Sequence, residues 1–321
     1  MVILRDIFSP IGGELEATLL LVKASIPQNH QYLASLCAPL TDHPGKCIRP
    51  GLLLLFARMM CSDLDSVTVV PAAAALELLH WASLVHDDVI DGAMVRRGVP
   101  TINASTNSAT AILVGDFLFS RAILLLSGYG QDVLETVADL MYELVLGQLA
   151  EQRAIGLYGL TEDAYLRLIG QKTARFLATA CGLGARLGGA SPAMISLSEE
   201  YGHALGMVYQ LRDDLLDITG DVARLGKATG MDAIVGVETL PAIRARNLVP
   251  EQYHRVVARL DVDGNLGAFQ ELLWECGALD YTEDHIERYT KQGRACLEGL
   301  PPGVVNEGLG HLLSYVVSRV S

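Results

Sequence analysis

Apolar residues recur along this chain with the period of buried or amphipathic helices, and almost nowhere with the alternation of a strand. The pattern predicts an amphipathic helical entry over residues 13–37. A second helix starts at Pro50, where a missing N–H costs little, and carries the apolar run Leu52–Met60. The clearest helix covers 71–91: Pro71 opens it, Ala72–Leu79 has high helix propensity, and Gly92 stops it. Further helices are expected over 107–127, 130–154, 161–188, 192–219, 236–246, 251–260, 264–277, 282–299 and 303–319. The β-branched run Ser66–Val70 reads as an approach to Pro71 rather than a strand. The expectation is an all-α fold: a single domain, 1–321, formed as a bundle of ten or more helices around a central cavity. Bundles build their sites from side chains on facing helices.

Composition narrows this picture. Half of the 321 residues are apolar, enough for a large core without disulfides. Cys37, Cys47, Cys61, Cys181, Cys276 and Cys296 form no CxxC pair and have no zinc-ligand spacing, which fits free thiols in a reducing compartment. The N-terminus lacks a basic region followed by an apolar block, and no run of ~18 uninterrupted apolar residues suggests a transmembrane segment. A cytoplasmic protein is expected. The net charge of −13 argues against nucleic acid, whose phosphates are held by Lys and Arg. It does not exclude small anions, because acidic clusters bind them through bridging divalent cations.

Two such clusters exist. His86-Asp87-Asp88-Val89-Ile90-Asp91 and Arg212-Asp213-Asp214-Leu215-Leu216-Asp217 each end a long apolar helix. Residues four apart share a helix face, so Asp87 pairs with Asp91 and Asp213 with Asp217; Asp88 and Asp214 point roughly 100° away. Like charges at this spacing cost a few tenths of a kcal/mol per pair. Doing so twice on apolar helices calls for a compensating cation, and oxygen-only ligands suit magnesium. Basic residues accompany the clusters. Gly45-Lys46-Cys47-Ile48-Arg49-Pro50 precedes a helix, with Gly45 letting the backbone approach a ligand. Arg96-Arg97-Gly98 follows the first cluster, Lys172-Thr173 lies mid-helix, and Lys227 follows the second cluster between Gly226 and Gly230. Cations beside carboxylates in an acidic chain point to anionic ligands held both directly and through metal.

With these segments in this order the chain resembles the trans-isoprenyl diphosphate synthase (polyprenyl synthetase) family over almost its whole length. The segments that carry the likeness are Gly45-Lys46 with Arg49-Pro50, His80 to Asp91, Arg96-Arg97-Gly98, Gly115-Asp116, Lys172-Thr173-Ala174, Tyr209 to Asp217 and Gly226-Lys227. The stretch around His80 looks most like the catalytic component of heptaprenyl and octaprenyl diphosphate synthases. The resemblance implies Asp87, Asp91 and Asp213 as principal magnesium ligands, with Asp88, Asp214 and Asp217 in support, and three ions when substrate is bound. It implies Arg96, Lys172 and Lys227 on an allylic diphosphate (farnesyl or geranyl), and Lys46, Arg49, His80 and Arg97 on isopentenyl diphosphate. Thr173 and Gln210 would face the reacting centre. Pro44, Cys47, Tyr209 and Val237 depart from the family pattern, in places where a Gly, a basic residue, a Phe and a Lys are common.

The reaction so implied is ionisation of the allylic diphosphate, attack by the double bond of isopentenyl diphosphate and loss of a proton, in a cavity that excludes water. Product length would be set one or more turns behind Asp87, at Ala82, Ser83, Leu79 and Leu76. Both Ala82 and Ser83 are small, so a long product of about C35–C40 is expected, with C20–C30 as the fallback, at roughly one isoprene unit per 5.4 Å turn. The floor would lie at Leu79, Leu76, Phe117 or Phe119, with Trp81 off this face in core packing. A homodimer is expected, or a catalytic subunit needing a small partner, with transient membrane-surface contact through the product. A phosphohydrolase would need more histidine ligands. A non-catalytic subunit would have lost aspartates, and a terpene cyclase would not need Lys46, Arg49 and Arg97.

Overall fold

In the computed structural model, which describes residues 4–156, 159–220, 230–263 and 266–319, helices form nearly wherever the apolar period places them. Residues 4–137 and 180–195 make one compact unit, and residues 138–179 and 196–319 make a second. The fold is all-α, with more than ten helices among the described residues.

The first unit contains α1 (Leu4–Ile7), α2 (Gly12–Ala24), α3 (Gln31–Asp42), α4 (Ile48–Met60) and α5 (Ser66–Ile90), then a hairpin, α6 (Ile102–Ser105) and α7 (Ser108–Leu126). The N-terminal part of α8 (Gln131–Ala154), the end of α10 (Arg175–Leu187) and the start of α11 (Pro192–Thr219) complete it. Its centre is α5, against which α2, α4 and α7 pack. Leu52–Phe56 of α4 and Ala72–Ala75 of α5 are sealed from solvent, the alanines giving a smooth wall on which neighbours lie close.

Three local expectations change here. The entry over 13–37 divides into α2 and α3, and His30 caps the second by accepting from the Leu33 N–H at 3.2 Å. The residues Ser66–Val70 are not an approach: they form the first turns of α5, capped by Asp65, so Pro71 lies inside the helix. An interior proline breaks the ladder. Tyr129 repairs it, its hydroxyl accepting from the Ala72 N–H at 3.1 Å and donating to the Thr68 carbonyl at 2.6 Å. Tyr129 lies 58 residues beyond Pro71, a distance no local pattern spans. Finally, Arg96-Arg97-Gly98 folds as a two-stranded hairpin, β1 (Val95–Arg96) and β2 (Val99–Pro100), with Val95 opposite Pro100.

The second unit contains the rest of α8, α9 (Glu162–Ile169), a π turn (Gly170–Ala174), the start of α10 and most of α11. It continues with α12 (Met231–Val235), α13 (Leu240–Leu248), α14 (Pro250–Asp263), α15 (Leu266–Glu275), α16 (Ala278–Glu298) and α17 (Val304–Val317). The helix expected over 161–188 is thus interrupted, and the one over 236–246 starts only at Leu240. Tyr201 of α11 donates to the Leu309 carbonyl of α17 at 2.8 Å, a buried polar tie through the apolar core.

Among the described residues two helices, α5 and α7, are long and apolar enough to cross a membrane by length and composition. Most of α5 is buried inside its unit, whereas α7 leaves Ile112, Leu113, Ile123 and Leu124 exposed. Replacing Tyr129→Phe should cost about 1 kcal/mol, the net worth of the hydrogen bonds that mend α5, as read from urea unfolding at neutral pH.

Candidate active site

The first aspartate cluster occupies the last turn of α5. The Ala93 N–H returns to the Asp88 carbonyl (2.9 Å) and the Gly92 N–H to the Val89 carbonyl, with Gly92 at φ 63°. This is a Schellman closure, and its left-handed position suits glycine. Carboxylates are disfavoured at the electronegative C-terminal end of a helix. Asp88, buried at 5% exposure, is met by Arg96: Nε at 2.8 Å and Nη2 at 2.7 Å, both on Oδ1. Burial still pushes the Asp88 carboxyl above its usual range against the pull of Arg96. Asn103 donates to the Asp88 and Ala93 carbonyls, tying α6 to the end of α5. His86 lies over Gly115, where a side chain would not fit, with its ring 5.5 Å from Phe119. Phe119 therefore stands level with the aspartates rather than at a deep floor.

A basic group forms on the neighbouring elements of the same unit. Arg49 Nη1 lies 3.1 Å from His80 Nε2, and because the guanidinium can only donate, His80 accepts. Burial and the charges of Arg49, Arg97 and Arg96 hold His80 well below its ordinary pKa, so it is neutral. Arg97, itself at φ 52°, donates to the His43 carbonyl at 2.7 Å and covers Gly45 so closely that a Cβ there would meet its guanidinium. Gly45, Arg49, His80 and Arg97 are thus brought together, and Lys46 is exposed in the same loop.

Behind Asp87, the expected product wall needs correction. Ala82 and Leu76 are 0% exposed and Leu79 is 1% exposed, so these three side chains are packed shut. Only Ser83 is reached by solvent, with its hydroxyl donating to the His80 carbonyl. The accessible stripe of α5 runs Asp87, Ser83–Leu84, His80. Trp81 is buried in the core, and its indole donates to Glu77 at 2.9 Å.

In the second unit, α11 carries the other cluster. Asp213 pairs with Arg319 at 3.0 Å, and Arg319 stacks on the Tyr209 ring at 4.7 Å. Buried Asp214 accepts from the Tyr165 hydroxyl and, at 3.0 Å, from Gln210 Nε2; Gln210 in turn accepts from Thr173 at 2.8 Å. Asp217 is buried. Lys172 and Thr173 lie in the π turn, an irregularity common at functional sites. Gly206 of α11 makes room for it, since a Cβ there would stand 2.4 Å from Ala174 Cα. Lys172 pairs with Glu151. A cavity of about 90 Å³ lies behind the cluster, lined among others by Glu151, Tyr165, Gln210, Asp214 and Val237. Lys227 falls outside the described residues.

Arg319, Tyr165, Glu151 and Gln148 had no part in the sequence expectation. The two amide atoms of Gln148 are buried without a hydrogen-bond partner among the described residues. Contacts 49 or 106 residues apart leave no local trace, although the π turn has one weak herald in Gly170 at mid-helix. Among the described residues no three acidic, histidine or cysteine side chains converge into a ready-made metal cage.

A Polyprenyl synthetase family profile matches residues 30–266. The chain belongs to the polyprenyl synthetase family. It is 32% identical over 320 residues to heptaprenyl diphosphate synthase component 2 of Geobacillus stearothermophilus, covering 98% of this chain and 99% of that one. The crystal structure of a decaprenyl diphosphate synthase from Rhodobacter capsulatus superimposes with a TM-score of 0.93 at 32% identity, over 99% of this chain and 100% of that one. A polyprenyl synthase from Caulobacter crescentus, complexed with calcium and isoprenyl diphosphate, gives 0.91 at 30% identity, over 99% and 98%. This polyprenyl synthetase is a prenyltransferase of the trans-polyprenyl diphosphate synthase class. Within it, Tyr165→Phe should leave a buried carboxylate short of a donor, costing about 1–3 kcal/mol in urea unfolding and lowering kcat with it.

Proposed function

We propose that the enzyme extends a farnesyl or geranyl diphosphate primer by repeated addition of isopentenyl diphosphate, using magnesium, to a product of about C35–C40. The observation that carries this is the segregation of charge in the first unit. The Asp87–Asp91 carboxylates sit at one helix end, and Gly45, Arg49, His80 and Arg97 form a separate basic pocket beside them. One anion is then taken by cation-bridged carboxylates and another by side chains alone, as a reaction between two diphosphates requires.

The donor set fits magnesium, which takes one or two carboxylates and completes its shell with water and substrate phosphate rather than a full protein cage. Asp87, Asp91 and Asp213 would hold the ions, with Asp217 in support. Once bound, they would supply charge stabilisation for the departing diphosphate. Asp88 and Asp214 act differently: Asp88 orients Arg96, and Asp214 fixes Gln210 and, through it, Thr173. Lys172 and Lys227 would meet the allylic diphosphate. Lys46, Arg49, neutral His80 and Arg97 would hold the homoallylic one, with His80 keeping the Arg49 fork in place. The apolar helices around them exclude water from the cation. In this proposal both aspartate clusters serve a single catalytic domain.

The product would leave along the Ser83 side of α5. The small Ser83 side chain supports the long product, while the sealed Leu76, Leu79 and Ala82 make that wall depend on local opening. The exposed Ile112, Leu113, Ile123 and Leu124 of α7 support a homodimer. The name of the Geobacillus relative, a component 2, supports the alternative of a small partner subunit.

Purified protein given farnesyl diphosphate, isopentenyl diphosphate and magnesium should elongate unaided; failure to do so would favour the partnered form. Asp87→Ala should lower turnover at least about a hundredfold, as loss of a principal charge stabiliser does, and near-normal turnover would sink the assignment. Ser83→Phe should shorten the product by one or more isoprene units, measured by chromatography of the dephosphorylated chains. An unchanged product would place the route elsewhere.

A further inference from the structure

Glu77 lies ten residues before Asp87 on α5 and is 1% exposed, an ionisable group in the long, mostly buried helix at the centre of its unit. Its side chain accepts the Trp81 indole N–H at 2.9 Å. The cationic groups bearing on it are Arg49 of α4 and Arg97 of the hairpin, two members of the basic pocket. Its titratable neighbours are Cys47, whose thiol feels the Glu77 charge, and His80 one turn along the same helix. α2 and α7 also pack on α5, but their charged side chains do not bear on Glu77. A buried carboxylate is retained only when cations compensate it. Here two arginines do so from a neighbouring pocket, and the loop residue Cys47, which feels the Glu77 charge, is a neutral thiol.

We propose that Glu77 is a positioning residue of the homoallylic subsite, and that binding of isopentenyl diphosphate to the Arg49–Arg97 pocket is coupled to uptake of one proton from solvent by the Glu77 carboxylate. The inference rests on the assignment of that pocket to isopentenyl diphosphate. An arriving diphosphate competes with ionised Glu77 for the same guanidinium charge. Protonation removes the competitor, so anion binding and the protonated carboxyl favour each other. By reciprocity, the anion must raise the pH at which Glu77 ionises. Burial already pushes that carboxyl up to about 7, inside the working range of an enzyme. The sign follows: Glu77 is protonated below that value and affinity is high; above it the carboxylate ionises and affinity falls.

The experiment compares the wild type with Glu77→Gln, whose amide still accepts from Trp81. KM for isopentenyl diphosphate is measured from pH 6 to 8 at saturating farnesyl diphosphate and magnesium. The wild-type KM should rise about three- to tenfold relative to the variant, one pKa unit of coupling being tenfold. The ratio cancels the substrate's own ionisation. KM for farnesyl diphosphate should keep the same ratio throughout. A flat ratio for isopentenyl diphosphate, or equal shifts for both substrates, overturns the coupling. A second measurement does not depend on that variant folding. The chain has two tryptophans, and Trp274 is 75% exposed. In Trp274→Phe, emission from Trp81 should titrate near pH 7 without metal, and isopentenyl diphosphate should move the midpoint upward by half a unit or more. No transition, or an unmoved midpoint, overturns the proposal. Arg49→Ala separates the two layers: an unchanged KM for isopentenyl diphosphate refutes the pocket assignment itself, whereas a raised KM with a flat Glu77→Gln ratio refutes only the proton coupling.

Discussion

Carboxylates at the C-terminal end of an apolar helix face both the helix dipole and one another. That repulsion recurs near the ends of α5 and α11, and the surrounding chemistry is organised by it. In each cluster the middle aspartate is buried and answered by groups of the same unit, Arg96 for Asp88, and Tyr165 with Gln210 for Asp214. The outer aspartates of the first cluster lie nearer solvent, where phosphate and cation can reach them. Division of labour inside the first DDxxD motif thus follows from helical geometry: positions four apart share a face, and the middle residue turns into the protein, whereas in the second motif Asp217 is buried as well.

Much of the fold was legible because burial imposes its period on sequence. The helix over 192–219 and the stop at Gly92 follow from apolar spacing and one left-handed glycine. The start of α5 was misread, since Pro71 is a strong local signal whose remedy, Tyr129, lies in a different segment. The π turn at Gly170–Ala174 was hidden for a related reason: its extra residue is accommodated by Gly206 on α11, not by its own neighbours. In the site, residue types were legible and contacts were not. Arg96 and Lys172 could be named as cations, but their engagement with Asp88 and Glu151 depends on tertiary placement.

Periodicity also misleads when a face is assumed to be a lining. Ala82, Leu79 and Leu76 share the side of α5 that leads back from Asp87, yet each is sealed by packing. Helical arithmetic gives direction along a helix but not the distance to the next one. Small residues admit two outcomes: an open path, or a close neighbour that fills the space. In the alanine-rich part of α5 the second prevails, and Ser83 marks where the first begins.

The same close packing makes an ionisable group inside α5 consequential. Glu77 cannot be screened by water, so its charge is set by the few groups that reach it. The cations among those groups are Arg49 and Arg97, and they also present the basic pocket. With both guanidinium charges and an ionised Glu77 the pocket carries a net charge of about +1; with Glu77 protonated it carries about +2, and in a low-dielectric wall this difference is large. Cys47 sharpens the effect. A basic side chain at that position would compensate Glu77 permanently and leave the arginines to the substrate, whereas the thiol, pushed up to about 12, adds no charge. The departure at residue 47 therefore does not simply subtract a cation from the pocket. It makes the remaining two answer to a carboxyl whose charge changes with pH.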